Sequence, residues 1–175
     1  MIIKYIQVGI LILLSLTSDI KTYKIKNELI LFFILTGLAT NFCLGGSRAL
    51  IPSLLGCIIP VLLLIALFGL RMLGAGDIKL FCAIGAIMGI RFVLYTIGYS
   101  FIAGGFIALF IMIVRRNGRK RFVYFFNYAK SCIITFSLLP YSDFKEKSDG
   151  SKFHFTYAIM LGAIIEGIMG LYLQQ

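Results

Sequence analysis

Apolar residues fall in long runs separated by short polar interruptions, and neither a two-residue alternation nor a narrow helical stripe organises them. Runs of this length read as membrane-crossing helices, because about 20 apolar residues at 1.5 Å each cover the hydrocarbon of a bilayer. Six spans are predicted, over residues 2–18, 29–47, 51–70, 77–90, 92–114 and 153–173. Lys4 snorkels from the start of the first. The second ends in a loop marked by Gly45, Gly46 and Arg48. Pro52 suits the start of the third, and Pro60 predicts a kink inside it. The fourth is short for a crossing, so it either extends past Arg91 or sits among longer neighbours. The fifth offers Ala103, Gly104, Gly105 and Ala108 as a small-residue face for close helix contact.

The pattern changes at Arg115-Arg116-Asn117-Gly118-Arg119-Lys120-Arg121, a basic run that opens a cytoplasmic loop over 115–152. Residues 122–139 are apolar around Lys130. They are predicted to lie in the interface rather than to cross as a seventh span, because a lysine in mid-bilayer is unfavourable and a basic cluster feeds the segment. The fold class expected is therefore all-α: a polytopic membrane protein, one membrane-embedded domain over 1–175, with six transmembrane helices and an interfacial helix.

Composition agrees. Hydrophobic residues are 60% of the chain and charged ones 14%, with a mean hydropathy of +0.99, against about half and a quarter in soluble domains. The first run passes directly into Ser18-Asp19 without a small-residue cleavage site, so it reads as a retained span. The net charge of +10 would suggest nucleic acid in a soluble protein. Here the basic residues sit in loops, where they set topology and meet anionic lipid, and no nucleic acid partner is expected. Under the six-span reading, fourteen of them flank the odd-numbered loops and three (Lys4, Arg48, Arg91) lie on the other side. That bias places both termini outside and puts Asp19 and Asp77 together at the cytoplasmic face. Cys43, Cys57, Cys82 and Cys132 are scattered without a C-x-x-C pair and read as packing residues. No metal or cofactor is implied.

The candidate chemistry centres on Gly74-Ala75-Gly76-Asp77-Ile78-Lys79-Leu80. An acid at the mouth of a membrane segment is read as functional, with a partner to be found. Asp143, Glu146 and Asp149 lie in a polar linker, Glu166 lies inside the last span, and Glu28 suits the first turn of the second. Asp19 is the acid that shares the depth of Asp77. Two carboxylates at one depth on separate helices are the equipment of an aspartic protease: one is ionised and takes a proton from water, the other is protonated and polarises the carbonyl. Plainer roles exist for each. Asp77 alone would serve as a helix N-cap, and Asp19 would neutralise Lys21 or Lys24. Lys79 would pair with Asp77 or with lipid phosphate. His154, the one histidine, reads as an interface anchor. Glu166 is either a helix–helix hydrogen-bonding group or part of a substrate path.

These residues resemble a family. Asp19 followed by Ile25-Lys26-Asn27 looks like the D-x(5)-I-P-N element of prepilin peptidases, the type IV leader peptidases, and residues 74–80 match their G-x-G-D-x-K-L element. Residues 155–162 resemble the small-residue last span, with Thr156 where a proline is common; Lys26 likewise replaces a proline. The resemblance implies a GxGD membrane aspartic endopeptidase that removes the leader of prepilin-like or pseudopilin substrates at the cytoplasmic face of a prokaryotic inner membrane. It implies Asp19 and Asp77 as the catalytic pair, with Gly74, Gly76, Lys79 and Asn27 supporting them. Bifunctional members carry a paired-cysteine insert and methylate the product; none fits between Asp19 and Leu29, so the short, peptidase-only form is expected. The leaders are basic, so the run 115–121 should meet lipid, and Asp143, Glu146 and Asp149 are better placed to receive a leader. Two other readings remain open: a transporter using paired acids as a proton or cation site, and a presenilin-like protease. The first calls for acids near mid-membrane, and the second for a Tyr-Asp element where this chain has Ser18-Asp19.

Overall fold

A computed structural model describes residues 2–22, 25–70, 72–114 and 154–172. The expected interfacial helix over 122–139, the basic run, Arg71, Cys132 and the acids Asp143, Glu146 and Asp149 lie outside the described residues. Those that are described form helices: α1 (Ile2–Thr22), α2 (Asn27–Gly69), α3 (Ala75–Met88), α4 (Ile90–Val114) and α5 (Thr156–Tyr172). Among them α1, α2 and α4 contain stretches long and apolar enough to cross a membrane, and α5 holds a shorter apolar stretch.

α2 is 43 residues long, about 65 Å of helix, twice the hydrocarbon thickness. It is broken at Gly46, whose φ of 62° and ψ of −157° lie in a region that glycine enters readily and other residues rarely do. The break falls in the loop that the sequence marks with Gly45, Gly46 and Arg48. Pro60, the expected kink position, keeps helical dihedrals and is buried, and the non-helical residue within α2 is Gly46.

Contacts fix the directions of the rods. The first half of α2 runs parallel to α3. Asn27 at its start meets Lys79, and Asn41 further along meets the carbonyls of Ala86 and Ile87. The second half runs back: Ser53 donates to Ala86, and Gly56 lies on Gly85. α1 is antiparallel to the first half of α2, with Lys4 on Asn41 and Gln7 on Thr40. α5 is antiparallel to α4, with Gly104 against Phe155 and Gly162 against Ser100. The three basic residues assigned to the far side are at one end of this arrangement: Lys4 is on Asn41, Arg48 is beside the Gly46 break, and Arg91 follows Gly89. Lys21 and Lys79 are at the other end, with Asp19 and Asn27.

α3 is the centre. It has only 14 residues, and Leu80, Phe81, Ala83, Ile84, Ala86 and Ile87 are fully buried. A helix that is apolar all round belongs inside protein, so its shortness is met by longer neighbours rather than by extension. It stops at Gly89, whose φ of 94° ends the helix and starts α4 at once. Close packing against α2 rests on glycine meeting glycine. A Cβ on Gly85 would overlap the backbone oxygen of Gly56, and a Cβ on Gly37 would come within 2.7 Å of Ile87. Small residues at helix contacts let backbones approach this closely. The last carbonyls of a helix lack internal partners. Here Asn41 donates to those of Ala86 (3.0 Å) and Ile87 (2.9 Å) and accepts from Lys4 at 2.7 Å. This polar clamp fixes the far end of α3, and with it the depth of Asp77 about 15 Å away along the helix.

Of the small-residue face expected on α4, Gly104 is buried against Phe155, whereas a Cβ on Gly105 would meet nothing within 4 Å among the described residues. Exposed Ile3, Ile6, Leu13, Phe32, Leu62 and Phe106 turn outward from the bundle, as expected of rods whose outer faces meet lipid tails.

Candidate functional site

At the end where α1 finishes and α3 begins, one open cavity of about 420 Å³ is lined by Asp19, Ile25, Asn27, Gly74, Ala75, Gly76, Asp77 and Lys79. All six residues singled out from the sequence (Asp19, Asn27, Gly74, Gly76, Asp77, Lys79) are in that lining. The two sequence elements are joined by direct contact. Lys79 Nζ donates to Asn27 Oδ1 at 2.8 Å. Ile25, buried, packs over Gly76, where an added Cβ would sit 3.5 Å from its side chain. The I-x-N tail thus docks onto the glycine-aspartate turn, and the connection from α1 brings Asp19 with it.

Asp77 is in the first turn of α3, and the N-cap is Gly74, extended at φ −78° and ψ 146°. This corrects the N-cap reading of Asp77. The turn is closed by Asp77 N–H and Ile78 N–H donating to the Gly74 carbonyl, at 3.1 and 3.4 Å. The Gly74 backbone N–H in turn donates to the Asp77 carboxylate, the reciprocal contact of a capping box with an acid at the third position. A Cβ on Gly74 would stand 3.1 Å from Asp77 Oδ2. Glycine here therefore leaves room for the carboxylate beside it and does not serve a left-handed backbone. Lys79, for which Asp77 and lipid phosphate were the expected partners, holds the Asn27 amide instead. Its aliphatic reach spans one turn of α3 to the start of α2, which ties the two elements at the cavity rim.

Asp19 lies three residues before the end of α1 and has partners that the sequence reading placed elsewhere. Its Oδ2 accepts from Thr156 Oγ1 at 2.8 Å and lies 3.0 Å from His154 Nδ1. The side chains of His154 and Asp19 are 18% and 14% exposed, so this contact is shielded, and His154 is a neighbour of the cavity rather than an outward-facing anchor. Phe155, between the two, goes the other way. It packs on Gly104, where a Cβ would be 2.9 Å from its ring, and against the Phe101 ring at 5.6 Å. Among the described residues no group of three or more His, Cys, Asp or Glu is gathered as a metal site. Glu166 is on α5 away from the cavity lining.

The arrangement presents two carboxylates from two helices to one water-accessible space, one seated on a backbone turn and the other held by a hydroxyl and an imidazole. Such a pair can move a proton to and from a bound water and polarise a carbonyl.

The model of the type IV leader peptidase family matches residues 5–109. That range contains both halves of the cavity lining and ends before α5. No curated protein and no solved structure is similar enough to match.

Proposed function

The chain belongs to the type IV leader peptidase family, and from that premise we propose that it is a membrane aspartic endopeptidase that removes the leader of prepilin-like or pseudopilin substrates. The observation that carries the reading is the convergence of Asp19 and Asp77 on one cavity. In the reaction, the ionised member of the pair takes a proton from a water as its oxygen attacks the scissile carbonyl carbon. The protonated member hydrogen-bonds to the carbonyl oxygen and stabilises the charge that develops there. The tetrahedral intermediate then collapses, the C–N bond breaks, and a proton passes from the pair to the leaving amine.

Six helical rods of alternating direction cross the bilayer in this reading, with an interfacial helix over 122–139 and both termini outside. The cavity then opens at the cytoplasmic face of a prokaryotic inner membrane, on the side that carries most of the basic residues. Its place at the end of the bundle suits a substrate arriving from water or the interface, and it does not suit a proton relay at mid-membrane. The short link from α1 to α2 leaves no room for a paired-cysteine insert, which supports a peptidase without methyl transfer. The basic loop meets anionic lipid.

The test is processing by the purified chain of a precursor with a short basic leader followed by an apolar helix. Cleavage should proceed in excess chelator, and mass spectrometry should find the new N-terminus unmethylated. Cleavage lost to chelator and restored by one added metal would contradict the reading.

A further inference from the structure

His154 and Thr156 approach the end of α1 from the start of α5, 135 and 137 residues away in sequence. Both fall on the same oxygen, Asp19 Oδ2. A carboxylate on the end of a two-torsion side chain rotates readily; two donors on one oxygen remove that freedom. The His-Phe-Thr segment is itself anchored. Phe155 fills the space left by Gly104 and leans on Phe101. The His154 carbonyl accepts from Tyr157 N–H at 3.2 Å, and the Phe155 carbonyl accepts from Ile159 N–H at 3.1 Å, which starts α5. Thr156 is fully buried, so its hydroxyl is held where it donates.

We infer that His154 and Thr156 are positioning residues that lock Asp19 by its Oδ2 and leave Oδ1 to work with Asp77 across the cavity. The inference rests on the peptidase reading for its kinetic consequence, and on geometry alone for the clamp. The two donors are not equivalent. The Thr156 hydroxyl donates to the Asp19 carboxylate at 2.8 Å. His154 donates when Nδ1 carries the proton, so an asparagine, whose amide nitrogen falls near Nδ1, is its conservative replacement. Neither side chain lines the cavity, so their loss should act through Asp19 and not on substrate binding.

The experiment uses the full chain, purified in nanodiscs, as the variants Thr156→Val, Thr156→Ser, His154→Ala and His154→Asn. Steady-state cleavage of a leader-bearing precursor is followed together with infrared spectra of protein labelled with ¹³C-carboxyl aspartate. Loss of orientation at a reacting group costs about 10- to 100-fold. Thr156→Val and His154→Ala should therefore lower kcat by about that factor with KM unchanged, while Thr156→Ser and His154→Asn recover most of it. The Asp19 carboxyl band, assigned as the one missing in Asp19→Asn, should shift in Thr156→Val and return in Thr156→Ser. If His154→Ala fails to fold, the threonine pair and His154→Asn still decide. Wild-type kcat in Thr156→Val, a change in KM alone, or an unmoved Asp19 band overturns the clamp. A wild-type chain that cleaves no precursor refutes the peptidase reading instead, and the infrared result then decides the clamp by itself.

Discussion

The two glycines of the Gly-x-Gly-Asp turn should respond differently to the same substitution. In Gly74→Ala the new methyl carbon would be 3.1 Å from Asp77 Oδ2, whereas ordinary contact begins at 3.4 Å. The carboxylate must give way by the difference, about 0.3 Å. Misplacement of a reacting group by 1 Å costs about 100-fold, so a proportional loss for 0.3 Å is about fourfold in kcat. The backbone itself is not strained, because Gly74 is extended and any residue adopts those angles. In Gly76→Ala the methyl would meet Ile25 at 3.5 Å, which is ordinary contact. Gly76 is also inside α3, where alanine is favoured over glycine by about 1 kcal/mol. That variant should hold kcat within about twofold and melt slightly higher. Initial rates of precursor cleavage over a substrate series, with a melting curve for each protein, separate kcat, KM and stability. A larger side chain, as in Gly74→Val, should deepen the kcat loss without raising KM in proportion. Gly76→Ala losing more kcat than Gly74→Ala would refute the account of why glycine stands at each position.

Other outcomes follow from the packing and the charge. Gly85→Ala would drive a methyl into the backbone oxygen of Gly56; overpacking of this kind costs about 1–3 kcal/mol. Gly98→Ala, with nothing within 4 Å among the described residues, should stay within about 0.5 kcal/mol of the parent in the same unfolding assay. Single cysteines placed at Arg48 and Arg91 should react with an impermeant thiol reagent from outside intact cells, and one at Lys79 should not. Labelling of all three from one side would contradict the alternating directions of the rods.

The rods were legible because hydropathy and charge act over whole segments. The Gly45-Gly46 turn, the shortness of α3 and the meeting of Asp19 and Asp77 at one end of the rods agree with run lengths and with where the lysines and arginines fall. What escaped is long-range and single-residue. Nothing near His154 or Thr156 in sequence points to Asp19, and a lone histidine at a span end reads as an anchor. The hints were there: Thr156 sits in the last-span element, and His154 two residues before it is the one histidine in the chain. Lys79 was given an acid or a phosphate because cations seek charge, yet one turn of helix puts it over the Asn27 amide. The Asn41 clamp was invisible for the same reason as His154: its partners are carbonyls 45 and 46 residues away, and carbonyls carry no sequence signature.

The central claim is that Asp19 and Asp77 together perform the cleavage. The direct measurement is precursor processing by purified Asp19→Asn and Asp77→Asn, each checked for insertion and for a melting temperature near that of the parent. An amide has the shape of the carboxyl group but cannot take up or release its proton. Each variant should lose about 10²- to 10⁴-fold in cleavage rate, and the double variant should lose little more, because the pair acts as a unit. Either single variant cleaving at the parental rate while correctly folded would remove the pair from the reaction and contradict the account.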